Sequence, residues 1–162
     1  MRLAIVADTH MPRGRRALPD RCVEELRGAD RIIHLGDFSA ASVLDWFEGL
    51  GVPVTAVHGN VDDGEIRRRL PEHRELELEG VRLGLVHDAG PRRGRLTRMR
   101  ARFPGADAVL FGHSHLPLHE TEHGFQIFNP GSPTERRRAP SRTMGIGEIA
   151  RGELRLELVE LG

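Results

Sequence analysis

The chain contains no lysine; all 24 of its basic residues are arginine, most simply a codon bias of a GC-rich genome. It carries 24 acidic residues as well, so the formal net charge is zero and no global field draws it to nucleic acid or membrane. The one cysteine, Cys22, has no partner for an internal disulfide, which points to a reducing compartment. Long apolar runs are also missing. None approaches the ~20 residues that span a bilayer. The N-terminal Leu3-Ala4-Ile5-Val6-Ala7 is cut off by Asp8, too soon for a signal-peptide core. These absences predict a cytoplasmic protein with no membrane association and no stable nucleic-acid binding. A homo-oligomer is compatible with the sequence.

What is present suits one globular domain over residues 1–162. Hydrophobic residues at 38% and charged residues at 30% are enough to build a core and a soluble surface. The first half alternates apolar runs of strand length with helical stretches. Strands are predicted over Leu3–Ala7, Arg31–Leu35 and Val52–Val57, and helices over Cys22–Leu26 and Ala40–Phe47. Such alternation implies right-handed crossovers and a largely parallel sheet. From residue 73 the rhythm changes. Arg74–Glu79 and Val81–Val86 flank Glu79-Gly80 as a hairpin. A helix over Leu96–Phe103 and a strand over Ala108–Phe111 follow. Shorter strands come next, at Leu118–Glu122, Phe125–Phe128, Thr143–Ile149 and Leu154–Val159, with turns at Glu122-His123-Gly124 and Arg151-Gly152. The predicted fold class is α/β, a two-sheet sandwich with helices outside.

Five polar clusters sit at the ends of these apolar runs: Asp8-Thr9-His10, Gly36-Asp37, Gly59-Asn60, His87 and Gly112-His113-Ser114-His115. Ligands of open α/β sheets bind outside the carboxyl ends of the strands, where residues distant in sequence can meet. Two Asp, one Asn and four His could hold two divalent ions, an arrangement suited to phosphoryl chemistry. Each cluster alone has a blander reading. Asp8-x-His10 could be a surface strand end, with both side chains on one face if the backbone is extended. Asp37 could cap the next helix, with Ser39 as a competing cap. Alternatively, its two oxygens could bridge two cations. Gly59-Asn60 is a favoured turn pair, and a lone His87 is more often structural than a ligand. Gly-His-x-His is the most specific of the five.

Arginines cluster at 13–16, 67–69, 92–102 and 136–142, and the guanidinium fork suits phosphate. A charge run is also the ordinary makeup of a solvated face. The first, third and fourth groups follow polar clusters, which makes Arg13, Arg92 and Arg136 candidates for binding substrate. The group at Arg67–Arg69 carries no such support. His34, inside an apolar run, reads as buried or bracing, while His73, His119 and His123 read as exposed.

In order and spacing the five clusters resemble the calcineurin-like metallophosphoesterases, in particular their small single-domain bacterial and archaeal phosphodiesterases. The resemblance runs from Asp8 to Asn129-Pro130-Gly131-Ser132, an element that closes the fold near the site in that branch. It implies the metallophosphoesterase fold, with four layers in the order α/β/β/α. It also implies two metals, one held by Asp8, His10, Asp37 and His115 and the other by Asp37, Asn60, His87 and His113. The metals would share a hydroxide that attacks the phosphorus of a small phosphoester substrate. Manganese is expected from the mixed carboxylate, amide and imidazole set, with Zn, Fe, Ni or Co as alternatives.

One position departs from the pattern. Many superfamily members place His after the Asn as a proton donor, and this branch often has Cys; here it is Val61. His58, Asp62 and Asp63 are the nearby substitutes, and His58 joins Asp37 and Asn60 as a candidate catalytic residue. Competing functions are a phosphomonoesterase, a nuclease, or a protein-binding scaffold like the retromer subunit of this fold, in which the motif is eroded.

Overall fold

Side-chain alternation along the first strand sets the layering. In β1 (Arg2–Val6), Leu3 and Ile5 face one side, Ala4 and Val6 the other, and all four are completely buried. A strand covered on both faces needs a layer of structure on each side. The computed structural model describes residues 1–11, 14 and 16–162. After β1 come α1 (Asp20–Arg27), β2 (Arg31–His34), α2 (Ala41–Glu48), β3 (Val54–Ala56) and α3 (Gly64–Arg69). The second half comprises β4 (His73–Leu78), β5 (Val81–Val86), α4 (Arg95–Arg102), β6 (Ala108–Leu110), β7 (Leu118–Glu122), β8 (Phe125–Asn129), β9 (Thr143–Ala150) and β10 (Glu153–Glu160).

The strands form two five-stranded sheets, ordered β10-β9-β1-β2-β3 and β4-β5-β6-β8-β7. Leu3 and Ile5 meet Leu83, Leu85, Leu110 and Phe128 in the core between the sheets. Ala4 and Val6 pack outward with Cys22, Leu26, Leu44 and Phe47 of α1 and α2. On the opposite outer face, Met99 and Phe103 cover Val109, Phe125 and Ile127. The layers therefore run helix, sheet, sheet, helix, as the expected α/β/β/α class requires.

The largely parallel sheet expected from the first half is mixed. Strands β1, β2 and β3 pair in parallel, but β9 joins β1 antiparallel and β10 extends that edge. In the second sheet β5, β6 and β8 are parallel and the two edge strands are antiparallel. The hairpins turn on Glu79-Gly80, His123-Gly124 and Arg151-Gly152, each with positive φ at both residues, the turn that matches strand twist. Helix α3 went unpredicted: it is only six residues long, and Asp63 caps it by accepting the Ile66 N–H at 2.9 Å. Each of the parallel strands β1, β2, β3, β5 and β6 is followed by one of the five polar clusters. No helix among the described residues is long and apolar enough to cross a membrane.

Candidate metal centre

The five strand-end loops bring the seven expected ligands together in two groups. Ligand atoms of Asp8, His10 and His115 lie within 4.8 Å of one another, and so do those of Asp37, His87 and His113. Asp37 links the groups, its Oδ2 lying 3.5 Å from His10 Nε2 and 3.2 Å from His87 Nε2. Asn60 completes the second group, with Oδ1 3.0 Å from His87 Nε2 and 3.1 Å from His113 Nδ1. Asp37 presents one oxygen rather than two, because Oδ1 accepts the Val61 N–H at 3.0 Å. It does not cap α2 either: that helix begins after Ala40, and the Ala41 N–H goes to Asp63.

The backbone reaches this arrangement in a way that alternation does not anticipate. Asp8, His10, Asp37, His113 and His115 all have positive φ, between 44° and 71°. The paired ligands at 8 and 10 and at 113 and 115 thus converge through left-handed turns, not through extended strand. Asp is one of the residues that tolerates this region best, and such strain clusters at functional sites. Two glycines let the loops touch. A Cβ on Gly36, itself at φ 94°, would stand 2.7 Å from the Gly59 nitrogen. One on Gly59 would stand 2.6 Å from the Asp37 nitrogen.

Buried side chains hold the loops in place. Asp62, 5% exposed, accepts the N–H groups of Asp37 at 2.9 Å and Gly59 at 2.6 Å through Oδ2, and that of Ser39 at 2.8 Å through Oδ1. Both candidate acids after Val61 are therefore acceptors. Asp63 has its carboxyl held below the usual range, chiefly by the Ile66 N–H it caps. His34 accepts the Gly36 N–H at Nδ1, so its Nε2 donates to the Thr9 hydroxyl at 3.1 Å, and burial keeps the ring neutral. Asn129 donates to the Gly112 carbonyl and accepts from Gly131. Ser132 and Thr134 donate to the carbonyls of Asp8 and Thr9 at 2.8 Å each. The Asn129–Ser132 element thus secures both the first and the last ligand loops.

The residues fit cations. Asp8 Oδ2 accepts the His113 N–H, but Asp8 Oδ1 is buried with no hydrogen-bond partner among the described residues. That oxygen faces His115 Nε2 at 3.6 Å, His87 Nε2 at 3.8 Å and His10 Nε2 at 3.9 Å. Burial raises the Asp8 carboxyl to about 7, and lowers His10 below its ordinary value and His115 to about 4. Neutral imidazoles are the form that ligates metal. Burial opposes charge on His87 too, but its hydrogen bond to Asp37 and the charges of Asp8 and Asp37 lift it to about 9. Burial likewise opposes ionisation of Asp37, yet His87 holds it below the usual carboxylate range. Other hydrogen bonds orient the rings: His87 Nδ1 donates to the Leu35 carbonyl at 2.7 Å, and His115 Nδ1 to that of Glu135 at 3.3 Å.

The other expected site residues scatter. His58 is half-buried in a cleft with Asn60, His87 and Asp88, beside the second group. Arg92 lines a separate cleft with Arg95, Glu120 and Glu122, which contains none of the seven ligands. Arg136 is exposed and donates to the Ala139 and Pro140 carbonyls of its own loop. Arg13 lies outside the described residues. The unsupported arginine group proves structural: Arg67 donates to the carbonyls of Gly59, Asn60 and Asp62, fixing the Asn60 loop. Arg137, two residues past Glu135, is the arginine whose charge favours ionised Asp8 and disfavours charged His10 and His115. The sequence offered no signal to prefer it over Arg136. His73, His119 and His123 are exposed, as expected.

Two sheets in a helix-flanked sandwich, with two adjacent groups of oxygen and imidazole donors at the strand ends, define a metal-binding hydrolase architecture. Residues 1–152 match the Calcineurin-like phosphoesterase superfamily domain, and the chain belongs to that family. A "Probable metallophosphoesterase" of Methanothermobacter thermautotrophicus is 30% identical over 164 residues, covering 100% of this chain and 94% of its own. A protein of Methanocaldococcus jannaschii named a phosphodiesterase is 26% identical over 145 residues, covering 81% of this chain and 83% of its own. Among solved structures, a single mutant of Vps29 from Entamoeba histolytica matches with a TM-score of 0.79. It covers 100% of both chains at 21% identity, a likeness of fold alone.

Proposed function

We propose that the chain acts as a single-domain, metal-dependent phosphodiesterase with two cations. Asp8, His10, Asp37 and His115 hold one, and Asp37, Asn60, His87 and His113 the other. The observation that carries this reading is the unpartnered, buried Asp8 Oδ1 facing three imidazole nitrogens. A buried carboxylate oxygen without a donor is costly, and a cation removes that cost. Two bound divalent ions would supply a shared hydroxide nucleophile at neutral pH and would neutralise charge on the phosphoryl oxygens.

The chain's own groups orient the reaction. Asp37 Oδ2 stands between the two ligand groups and fixes their spacing. Asn60 adds an oxygen without added negative charge, which keeps the second cation electrophilic. With Val61 unable to move a proton, His58 is the side chain we assign to the leaving oxygen. Its Nδ1 lies 3.3 Å from the Gly59 carbonyl, leaving Nε2 for proton transfer. Arg137 is the arginine we assign to the phosphate. Preference for diesters is supported by the relative named a phosphodiesterase, and manganese by the mixed ligand set.

The test is hydrolysis of bis-p-nitrophenyl phosphate and of p-nitrophenyl phosphate by metal-stripped protein reloaded ion by ion. Turnover of the diester above the monoester, highest with Mn²⁺, is expected. No turnover with any ion, despite measured binding, would overturn the reading in favour of a protein-binding scaffold.

A further inference from the structure

Two hollows of opposite character flank the ligand groups. The one containing His58, about 230 Å³, is polar: Glu72 and Asp88 line it beside the second group together with Arg67, whose guanidinium is taken up by the Gly59, Asn60 and Asp62 carbonyls. The other is an apolar groove of about 410 Å³ lined by Met11, Leu18, Val23, Val43 and Trp46, with Arg16 at one edge. Trp46 forms its wall and is 41% exposed, and Val43 is buried beneath. An indole left open beside an apolar hollow is surface that a flat apolar partner would stabilise by covering.

The groove adjoins the first ligand group through Met11 and Arg16, while none of the seven ligands lines it. Met11 directly follows His10, and its bridge to Ser39 ties it to the loop of Asp37. Arg16 pairs with Glu135 Oε2 at 3.1 Å, and the same oxygen lies 3.8 Å from His115 Nδ1. A phosphate held at the ligand groups would therefore have an apolar wall edged by the Arg16–Glu135 pair on one side, and a polar cleft of Arg67, Glu72 and Asp88 on the other. An apolar ester arm is favoured on the first side only. A planar wall with a guanidinium at its edge suits a ring, because stacking and cation–π contact both need a π face.

We infer that the Met11–Trp46 groove binds an aromatic ester arm of the substrate, with its ring against Trp46 and Arg16 beside the phosphate. The inference rests on the phosphodiesterase reading and narrows it to diesters with at least one aromatic arm. Trp46 is the only tryptophan of the chain, so its emission reports on this groove alone. The experiment titrates Mn²⁺-loaded protein with non-hydrolysable phenylphosphonate, hexylphosphonate and methylphosphonate, following emission and binding heat. Phenylphosphonate should quench Trp46 saturably and bind about tenfold more tightly than methylphosphonate. The variant Trp46→Leu, exposed and still apolar, should lose that advantage while binding methylphosphonate as before. Equal binding of hexylphosphonate and phenylphosphonate would overturn the aromatic assignment. So would an unaffected Trp46→Leu variant, or emission that changes with protein concentration and blocks phenylphosphonate, the mark of a second copy in the groove. Failure of the underlying reading would look different: phosphonates would bind, but bis-p-nitrophenyl phosphate would not be hydrolysed.

Discussion

Replacing Asp62 with asparagine separates two roles for the only buried carboxylate following Val61. Asp62 accepts three backbone N–H groups, from Asp37, Gly59 and Ser39, and so joins the loops that carry two of the expected ligands. Asparagine has one acceptor oxygen. If that oxygen keeps the Asp37 and Gly59 bonds, the new amide NH₂ faces the Ser39 N–H, donor against donor. One charge-assisted bond is lost and two become neutral, for a cost of about 3 kcal/mol in stability. Loosening the support of metal ligands typically lowers affinity about 10- to 100-fold. Urea unfolding with chelator present measures the first quantity, and calorimetric Mn²⁺ titration the second. Excess Mn²⁺ should restore most of the turnover of Asp62→Asn, with an unchanged dependence on leaving-group basicity. Full metal affinity with a selective loss on poor leaving groups would refute the bracing role and make Asp62, rather than His58, the acid that serves the leaving oxygen.

Three further outcomes are expected. Metal and protons compete at Asp8 and His87, whose pKa values are raised to about 7 and about 9. Loading at pH 7 should therefore release protons, and apparent affinity should climb as pH rises through about 7 and then about 9. Calorimetry in buffers of different ionisation heat reads this release, and uptake or no exchange would contradict the assignment. Gly36→Ala would drive a Cβ to within 2.7 Å of the Gly59 backbone at a positive φ. A stability loss on the order of 2–4 kcal/mol, with metal binding lost, is expected from thermal melts; a near-neutral effect would mean the loops can part. With His58 rather than residue 61 serving the leaving oxygen, the rate on aryl phosphodiesters should depend only weakly on leaving-group pKa, and His58→Ala should steepen that dependence. A steep dependence in the unaltered protein, unchanged in His58→Ala, would show that His58 does not supply the proton.

That these seven polar residues would meet at one edge was legible in the sequence because each ends or follows an apolar strand, and strand ends of such sheets converge. The two-sheet sandwich was legible from the same strands: Leu3 and Ile5 alternate with Ala4 and Val6, and all demand cover. What stayed hidden is set by contacts rather than by pattern. Period-two alternation suggested that Asp8 and His10 share a face, whereas left-handed backbone turns bring them there. Arginine runs suggested phosphate at Arg92 and Arg136, but spacing cannot show which carbonyl a guanidinium folds back to. Arg136 satisfies its own loop, and Arg67, set aside for want of a neighbouring motif, fixes the loop of Asn60. Asp62, read as a candidate acid, shows its bracing bonds only once the loops are assembled and three backbone donors converge on it.

The division of labour among these residues explains how the loops of the candidate site hold their shape. Five of the expected ligands hold strained backbone, a conformation that their own side chains do not dictate. The choice is made by groups that touch no ligand nitrogen: Asp62 beneath Asp37, His34 between Gly36 and Thr9, and Asn129, Ser132 and Thr134 across the first and last loops. Apart from the bond of His34 to the Thr9 hydroxyl, these bonds are to backbone, so they fix where each Cα sits and leave the ligand atoms unspent. Asp8 Oδ1, buried and unpartnered, is the clearest product of that arrangement.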